Sequence, residues 1–173
     1  MADSRIPDPT LMARLQLSVK GVDWAASLVQ PWQHRQVVGQ WSAHQHLVHL
    51  LAVERESYQP RIKRILSEDR PVFENWDENQ FMVERYRPEG DIAAIAEEFM
   101  AERAATVELL KDLTPEQWQR TCVWPNGREV DLAWVAERVL AHALEHFVAL
   151  LNLHGEFDSL HAQRWLGKAP ETT

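Results

Sequence analysis

The chain has 173 residues, of which 45% are hydrophobic and 25% charged, an ordinary balance for one globular domain. Its formal net charge is −8, with 26 acidic against 18 basic residues, which argues against binding to nucleic acid or to an anionic membrane surface. The single cysteine, Cys122, excludes an internal disulfide, and neither a signal peptide nor a membrane-spanning apolar run is visible. We therefore expect one cytoplasmic domain over residues 1–173, ordered from about residue 9 to about residue 155.

Hydrophobic spacing predicts helices along most of the chain. From Pro9 to Val29, apolar residues recur at three- and four-residue steps, which is typical of a helix with one buried face. Pro31 then closes this first helix, because proline has no backbone N–H and clashes with the preceding turn.

The second predicted helix begins at Ser42, which has the spacing of a capping box with Gln45. It continues to Ile65, but Pro60 lies inside it and should kink it, or break it in two, near Glu56. We expect three basic residues of its second half to form a solvated face: Arg61, Lys63 and Arg64.

A long linker, residues 69–90, follows the second helix. It is too long for a tight antiparallel connection, so it can carry the chain back along the bundle and leave the second and third helices parallel. Trp76 and its neighbours predict a short helix within this linker, lying over one end of the bundle.

The second half of the chain predicts two more long helices. One follows the capping residue Asp91, and the other runs from about residue 131 to 153, with Gly155 placed to end it. Between them we expect a short capped turn at residues 114–117. We expect no convincing strand, because the only candidate, residues 121–124, is short. Four long amphipathic helices predict an all-α fold, a four-helix bundle with long crossover loops.

Two histidines of the last helix are the strongest indication of a site. His142 and His146 are four residues apart, on a stripe that is otherwise apolar and must face the core. Buried imidazoles need partners, and one metal ion satisfies both, although two hydrogen-bonded core histidines remain the alternative. His46 and His49 lie together on a more polar face of the second helix, and periodicity does not choose between them as the third ligand.

The order of these motifs resembles the DinB-like superfamily, including its YfiT-type and mycothiol-dependent maleylpyruvate isomerase-like members. The resemblance rests on Trp41-Ser42, His49-Leu50 and the segment from Ala141 to His146, and it extends from the first helix to Gly155. It implies a four-helix bundle with a three-histidine metal site, and it selects His49 over His46 as the partner of His142 and His146.

The resemblance also implies a chemistry. Three neutral histidines leave a divalent transition metal, foremost zinc or nickel, with open positions at which a small molecule can bind. We expect a thiol S-transferase that moves a low-molecular-weight thiol onto an electrophile. A metal-dependent hydrolase and a non-enzymatic metal-binding or stress-response protein are the alternatives.

Five further residues are candidates for the substrate pocket. We expect aromatic walls and carboxylates near the histidines from this set: Trp41, Glu56, Tyr58, Trp76 and Glu145. The two carboxylates are candidates to orient a ligand histidine or to accept a proton, although a solvent-facing position is the simpler reading of both. Relatives are often dimeric, so a homodimer is a further expectation, without a defined interface stripe in the sequence.

Overall fold

The computed structural model describes residues 7–165, with the side chains of the last helix described as far as residue 162. Most of this part of the chain is helical, and the all-α bundle predicted above is confirmed. The elements are α1 (Leu11–Val29) with a 3₁₀ turn (Gln30–Trp32), α2 (Ala43–Val53), a π-helical turn (Glu54–Tyr58), α3 (Gln59–Ser67), α4 (Glu78–Glu84), α5 (Ile92–Leu110), α6 (Pro115–Trp118), β1 (Thr121–Val123), β2 (Glu129–Asp131) and α7 (Leu132–Trp165).

The side-chain contacts establish the directions of the helices that carry the site. His44, at the start of α2, lies against Glu89 just before α5, and Glu54, at the end of α2, bonds Arg103 near the end of α5. These two helices therefore run parallel, as the long linker predicts. Along α7 the order is reversed, because His46 faces His146 whereas His49 faces His142, so α2 and α7 run antiparallel.

The second helix corrects one expectation. Ser42 does form the predicted capping box with Gln45, and the α-helix is interrupted around Glu56 as predicted, but by a π-helical turn and not by a break in the chain's helical path. The backbone N–H of Gln59 donates to the carbonyl of Glu54, which is a π-helical hydrogen bond, and α3 continues directly from there. The wider turn absorbs the missing N–H of Pro60, since a π-bulge shifts the hydrogen-bond register by one residue.

A buried ion pair fixes this π-helical turn to its neighbours. Arg103 bonds both carboxylate oxygens of Glu54 at 2.8 and 3.0 Å, and both side chains are about 1% exposed. Ser18 of α1 and Thr106 of α5 complete the hydrogen bonds. The network joins three helices and satisfies the charges that it buries.

Residues 121–131 form a β-hairpin, so the expectation of no convincing strand is wrong: the short candidate at residues 121–124 contains β1. β1 and β2 pair antiparallel, with Cys122 opposite Val130, around a turn in which Gly127 has a φ of +79°. Phe73 donates its backbone N–H to the carbonyl of Val123, so the hairpin also holds the linker after α3. Three-residue strands are too short for a periodicity signal, and only their pairing defines them.

The last helix is longer than predicted. α7 passes through Gly155 without a break and continues to Trp165. Phe157, 1% exposed, packs against Trp32 with ring centroids 5.7 Å apart. This burial stabilises the helix beyond the glycine, so Gly155 is an interior residue and not a cap.

Two apolar clusters fill the bundle, one towards the hairpin and one towards the start of α2 and α5. Along α2 and α7, the boundary between them falls near His49 and His142, and this boundary is where the polar site lies. Cys122 is fully buried, and burial raises the pKa of its thiol to about 11. No helix within the described residues is long and apolar enough to cross a membrane.

Candidate metal centre

Three histidine side chains converge between α2 and α7. His142 Nε2 lies 3.2 Å from His49 Nε2 and 3.2 Å from His146 Nε2. In the described part of the chain these three residues form a group able to hold a metal ion, with one ligand atom from each within 4.8 Å of the others. The four-residue spacing on α7 and the antiparallel position of α2 bring them together.

Hydrogen bonding among the three rings does not account for this arrangement. Each nitrogen of a neutral imidazole carries either one proton or one lone pair, so His142 Nε2 can serve only one of its two neighbours well. His49 Nδ1 is also buried without a hydrogen-bond partner within the described residues. Two nitrogens each about 2.0–2.1 Å from a tetrahedral ion lie about 3.4 Å apart, so the separations fit a shared cation.

Burial keeps these imidazoles neutral. It lowers the pKa of His49 to about 4, that of His142 to about 2 and that of His146 to about 3, with the neighbouring histidines as the next cause for each. A neutral ring offers a lone pair, which is the form that a metal ion requires. The site is therefore ready to receive a cation at neutral pH.

A fourth histidine lies behind the group. His46 Nδ1 is 2.8 Å from His146 Nδ1, on the side of that ring away from His142. A hydrogen bond here leaves the Nε2 lone pair of His146 for a metal and fixes the orientation of its ring. Periodicity alone does not distinguish His46 from His49. The structure does, because His46 lies outside the group and contacts the ring of His146.

Trp41 covers the outer side of the histidines. Its ring centroid lies 5.0 Å from that of His49, 5.6 Å from that of His46 and 6.3 Å from that of His146. The indole shields the rings from water and so contributes to the desolvation that lowers their pKa values.

A pocket of about 380 Å³ opens beside His49 and His142. Two of the five sequence candidates, Tyr58 and Trp76, line it, whereas Trp41 packs on the histidine rings instead. Glu145 lies on the exposed surface and pairs with Arg138 at 2.7 Å. The structure thus brings the aromatic candidates to the site and leaves Glu145 outside the pocket.

Glu56 holds the short helix α4 against the bundle. Arg85, which follows α4, bonds both carboxylate oxygens of Glu56 at 2.6 and 2.5 Å, and Trp76 Nε1 donates to the same carboxylate at 3.4 Å. The hydrogen bond from Arg85 is the largest cause that lowers the pKa of Glu56. Glu56 thus anchors the segment that carries Trp76 and contacts none of the three histidines within the described residues.

Glu78, at the start of α4, brings a carboxylate that the sequence analysis did not single out. Its Oε2 lies 3.9 Å from His49 Nε2, and its side chain is 55% exposed. Since His49 is neutral at pH 7, this contact is not an ion pair. The carboxylate lines the pocket and faces the histidine group.

Arg61 corrects the prediction of a solvated basic face. It lines the pocket together with Arg138, and its guanidinium lies 4.7 Å from the ring centroid of Trp124. Lys63 and Arg64 do point to solvent. The hairpin and the linker after α3 cover the helix face that carries Arg61, and no periodicity within that helix reports their position.

Fold and site together define a helix bundle with a three-histidine group beside a pocket, which His49 and His142 line. The family model of the DinB superfamily matches residues 28–148, more than half of the chain and all three histidines. The chain belongs to the DinB superfamily, as the resemblance of its motifs implies.

Two solved structures from Bacillus subtilis are similar to this chain. YfiT, described as a probable metal-dependent hydrolase with an unusual four-helix bundle topology, has a TM-score of 0.74 at 18% identity, covering 98% of this chain and 94% of that one. The DinB-like protein YjoA has a TM-score of 0.58 at 15% identity, covering 86% and 92%. At these identities the likeness shows the fold alone. No curated protein matches the chain.

Proposed function

We propose that this protein is a metal-dependent enzyme whose divalent ion is held by His49, His142 and His146. The observation that carries the proposal is the convergence of three neutral Nε2 atoms beside a pocket of about 380 Å³. Three nitrogen ligands leave open positions, which distinguishes a catalytic centre from a closed structural one. Zinc and nickel both suit an imidazole donor set.

The reaction we propose is transfer of a low-molecular-weight thiol onto an electrophile. A divalent ion in such a site lowers the pKa of a thiol or water that binds to it and so supplies a nucleophile. The residues of the chain have separate tasks: His46 orients His146, Trp41 excludes water, and Tyr58 and Trp76 form pocket walls for the small-molecule substrate.

Glu78 is placed to accept the proton that the nucleophile loses. It is the one carboxylate among the described residues that line this pocket, and it is 3.9 Å from a ligand nitrogen. We expect Glu78→Gln to lower kcat while the metal content stays the same. The surface variant Glu145→Gln is its control, because Glu145 lies outside the pocket.

Hydrolysis by the same centre is the second candidate. The described function of the similar structure YfiT, a probable metal-dependent hydrolase, favours it. The same residues serve both reactions, since only the nucleophile differs, a thiol in one case and water in the other. A protein that only binds metal, without catalysis, is the third outcome to distinguish.

Metal analysis of untagged protein tests the proposal first. We expect about one transition metal per chain in the wild type and its loss in His49→Ala, His142→Ala and His146→Ala variants that remain folded. A metal-free wild type after incubation with zinc, nickel or manganese would overturn the proposal. Turnover of an electrophile that requires added thiol supports the transferase. Ester cleavage without thiol supports the hydrolase, and the absence of both activities with the metal bound supports a protein that only binds metal.

We further propose a single cytoplasmic domain that forms a homodimer. The solvent-exposed side chains of α1 and α7 include a set of apolar residues at which a second copy can pack: Leu17, Trp24, Leu144 and Val148. Light scattering on wild type and Trp24→Ser tests this: the dimer predicts twice the chain mass in the wild type and a lower mass in the variant.

A further inference from the structure

We propose that the pocket selects small organic carboxylates, whose anionic group binds to the guanidinium groups of Arg61 and Arg138. The reactive end of such a substrate lies towards His49 and His142. This second statement rests on the function proposed above, whereas the binding of the carboxylate does not.

Arg61 is a cation without a carboxylate partner in the described part of the chain. Its one hydrogen bond there goes from Nη2 to the backbone carbonyl of Glu74, at 2.7 Å. The guanidinium is half-buried between Trp124, at 4.7 Å, and Phe73, at 5.6 Å. Burying an unpaired charge costs free energy, so a site that retains one is organised to receive an anion.

The stacking of Arg61 also sets the geometry of recognition. A guanidinium has five N–H donors in one plane, and its fork matches the two oxygens of a carboxylate. Contact with the aromatic rings of Phe73 and Trp124 restricts that plane before any ligand arrives. This preorganisation reduces the entropy that binding would otherwise cost.

Arg138 adds a second positive charge from the other wall of the pocket. It lies on α7, one turn before His142, and its Nη1 donates to Glu145, a carboxylate that is 58% exposed. Solvent screens this surface pair, and the remaining N–H groups of Arg138 are not used by it.

The charges in the pocket are separated along its length. Glu78, the pocket carboxylate, lies at the histidine end, 3.9 Å from His49 Nε2. Arg61 comes twelve residues after His49, so its backbone is roughly 18 Å further along the helix. In the metal-free protein an anionic group is therefore repelled by Glu78 and attracted by Arg61 and Arg138, so a substrate with one charged terminus places that terminus at the two arginines.

The pocket walls favour an aromatic or otherwise flat body between these ends. Trp76 and Trp124 both line the pocket, and three neutral polar side chains line it with them: Ser57, Asn75 and Asn126. The overall charge of −8 makes this local excess of cationic side chains stand out from the rest of the molecule.

Matched probes test the proposal on the full chain. We would titrate 4-nitrobenzoate, 4-nitrobenzamide and 4-nitrophenylphosphonate into metal-free and zinc-loaded protein and follow binding by NMR. We expect the carboxylate to bind at least tenfold more tightly than the amide in the metal-free form, where the two arginines and not a metal ion supply the positive charge. Equal binding of carboxylate and amide would overturn the proposal, and tighter binding of the phosphonate would replace it with a phosphoryl ligand.

Charge-matched variants locate the binding group. Arg61→Gln should weaken binding of 4-nitrobenzoate about ten- to a hundredfold and leave binding of the amide and the zinc content unchanged. Lys63→Gln, an exposed position on the same helix, removes the same charge and should have no effect. If Arg61→Gln does not fold, Arg138→Gln provides the same comparison.

Failure of this proposal is separable from failure of the proposed function. Unchanged carboxylate affinity in both arginine variants would overturn the anion site, while zinc content and thiol-dependent turnover would still support the metal-dependent enzyme. Carboxylate selectivity in a protein that binds no metal would support the anion site and overturn the enzyme proposal.

Discussion

The buried pair Glu54–Arg103 and the histidine group are two polar clusters inside the same bundle, and they differ in how their polar atoms are satisfied. In the first cluster, Arg103 and Thr106 donate hydrogen bonds to the carboxylate of Glu54, and Arg103 also donates to the hydroxyl of Ser18. In the histidine group, Nε2 atoms face one another and His49 Nδ1 has no partner in the described part of the chain.

We interpret this difference as the one between a structural polar network and a candidate metal site. A polar network whose donors and acceptors are all paired needs no ligand, and it joins the helices. Neutral imidazoles whose lone pairs converge on one point favour a bound cation. Total burial does not distinguish the clusters, since His49 is 2% exposed and Glu54 is 1% exposed. The balance of donors and acceptors does.

The largest expected effect comes from breaking the completed network. Arg103→Ala leaves Glu54 charged and buried, so we expect it to reduce the free energy of unfolding by about 3–5 kcal/mol. Urea unfolding of the metal-free protein measures this. The double variant Glu54→Met/Arg103→Leu should recover much of the loss, because it removes both charges; a double variant as unstable as Arg103→Ala would contradict this account.

The second effect is metal-dependent stability. Zinc at about a thousand times its Kd should raise the free energy of unfolding of the wild type by about 4 kcal/mol, and it should do nothing for His142→Ala. The measurement is chemical unfolding with and without zinc. His161→Ala, which removes an exposed histidine of the same helix, should respond like the wild type. If zinc does not stabilise the wild type, the histidine group does not bind zinc, and the proposed difference between the two polar clusters is wrong.

A smaller effect is expected from the histidine behind the group. His46→Phe removes the hydrogen bond to His146, and we expect zinc affinity to fall ten- to a hundredfold. His46→Asn keeps a polar side chain at this position and should recover part of the loss. Competition with a chromophoric chelator measures the affinity, and the cobalt spectrum reports the ligand geometry. Unchanged affinity in His46→Phe would mean that His46 only packs.

The smallest effect per residue is the pH dependence carried by one ring. The pKa of His49 is lowered from 6.5 to about 4 by burial, so the unfolded chain binds the proton more readily than the folded one. Its contribution to stability is therefore complete above pH 6.5 and is lost as pH falls towards 4, by up to about 1.4 kcal/mol per pH unit.

Unfolding of metal-free protein between pH 7.5 and 4.5 tests this sign. The wild type should lose stability over that interval, and His49→Gln should lose less per pH unit, because it lacks one titrating ring. Equal slopes for the two proteins would show that the ring of His49 is not desolvated in the folded state.

Much of the architecture was determined by local sequence. Helix periodicity, the capping box at Ser42 and the pair His142–His146 depend on residues within a few positions of one another, so they can be identified without a structure. The family motifs add His49 as the third predicted ligand, and the structure places it opposite His142.

The tertiary structure decided what depends on distant parts of the chain. Arg61 and Lys63 are two residues apart in one basic run, yet only Arg61 is covered by the hairpin and by the linker after α3. His46 and His49 share one helix face, and α7 determines that one meets His142 and the other His146. A local pattern predicts which side of a helix is polar. Which residue on that side contributes to a site depends on the element that packs against the helix.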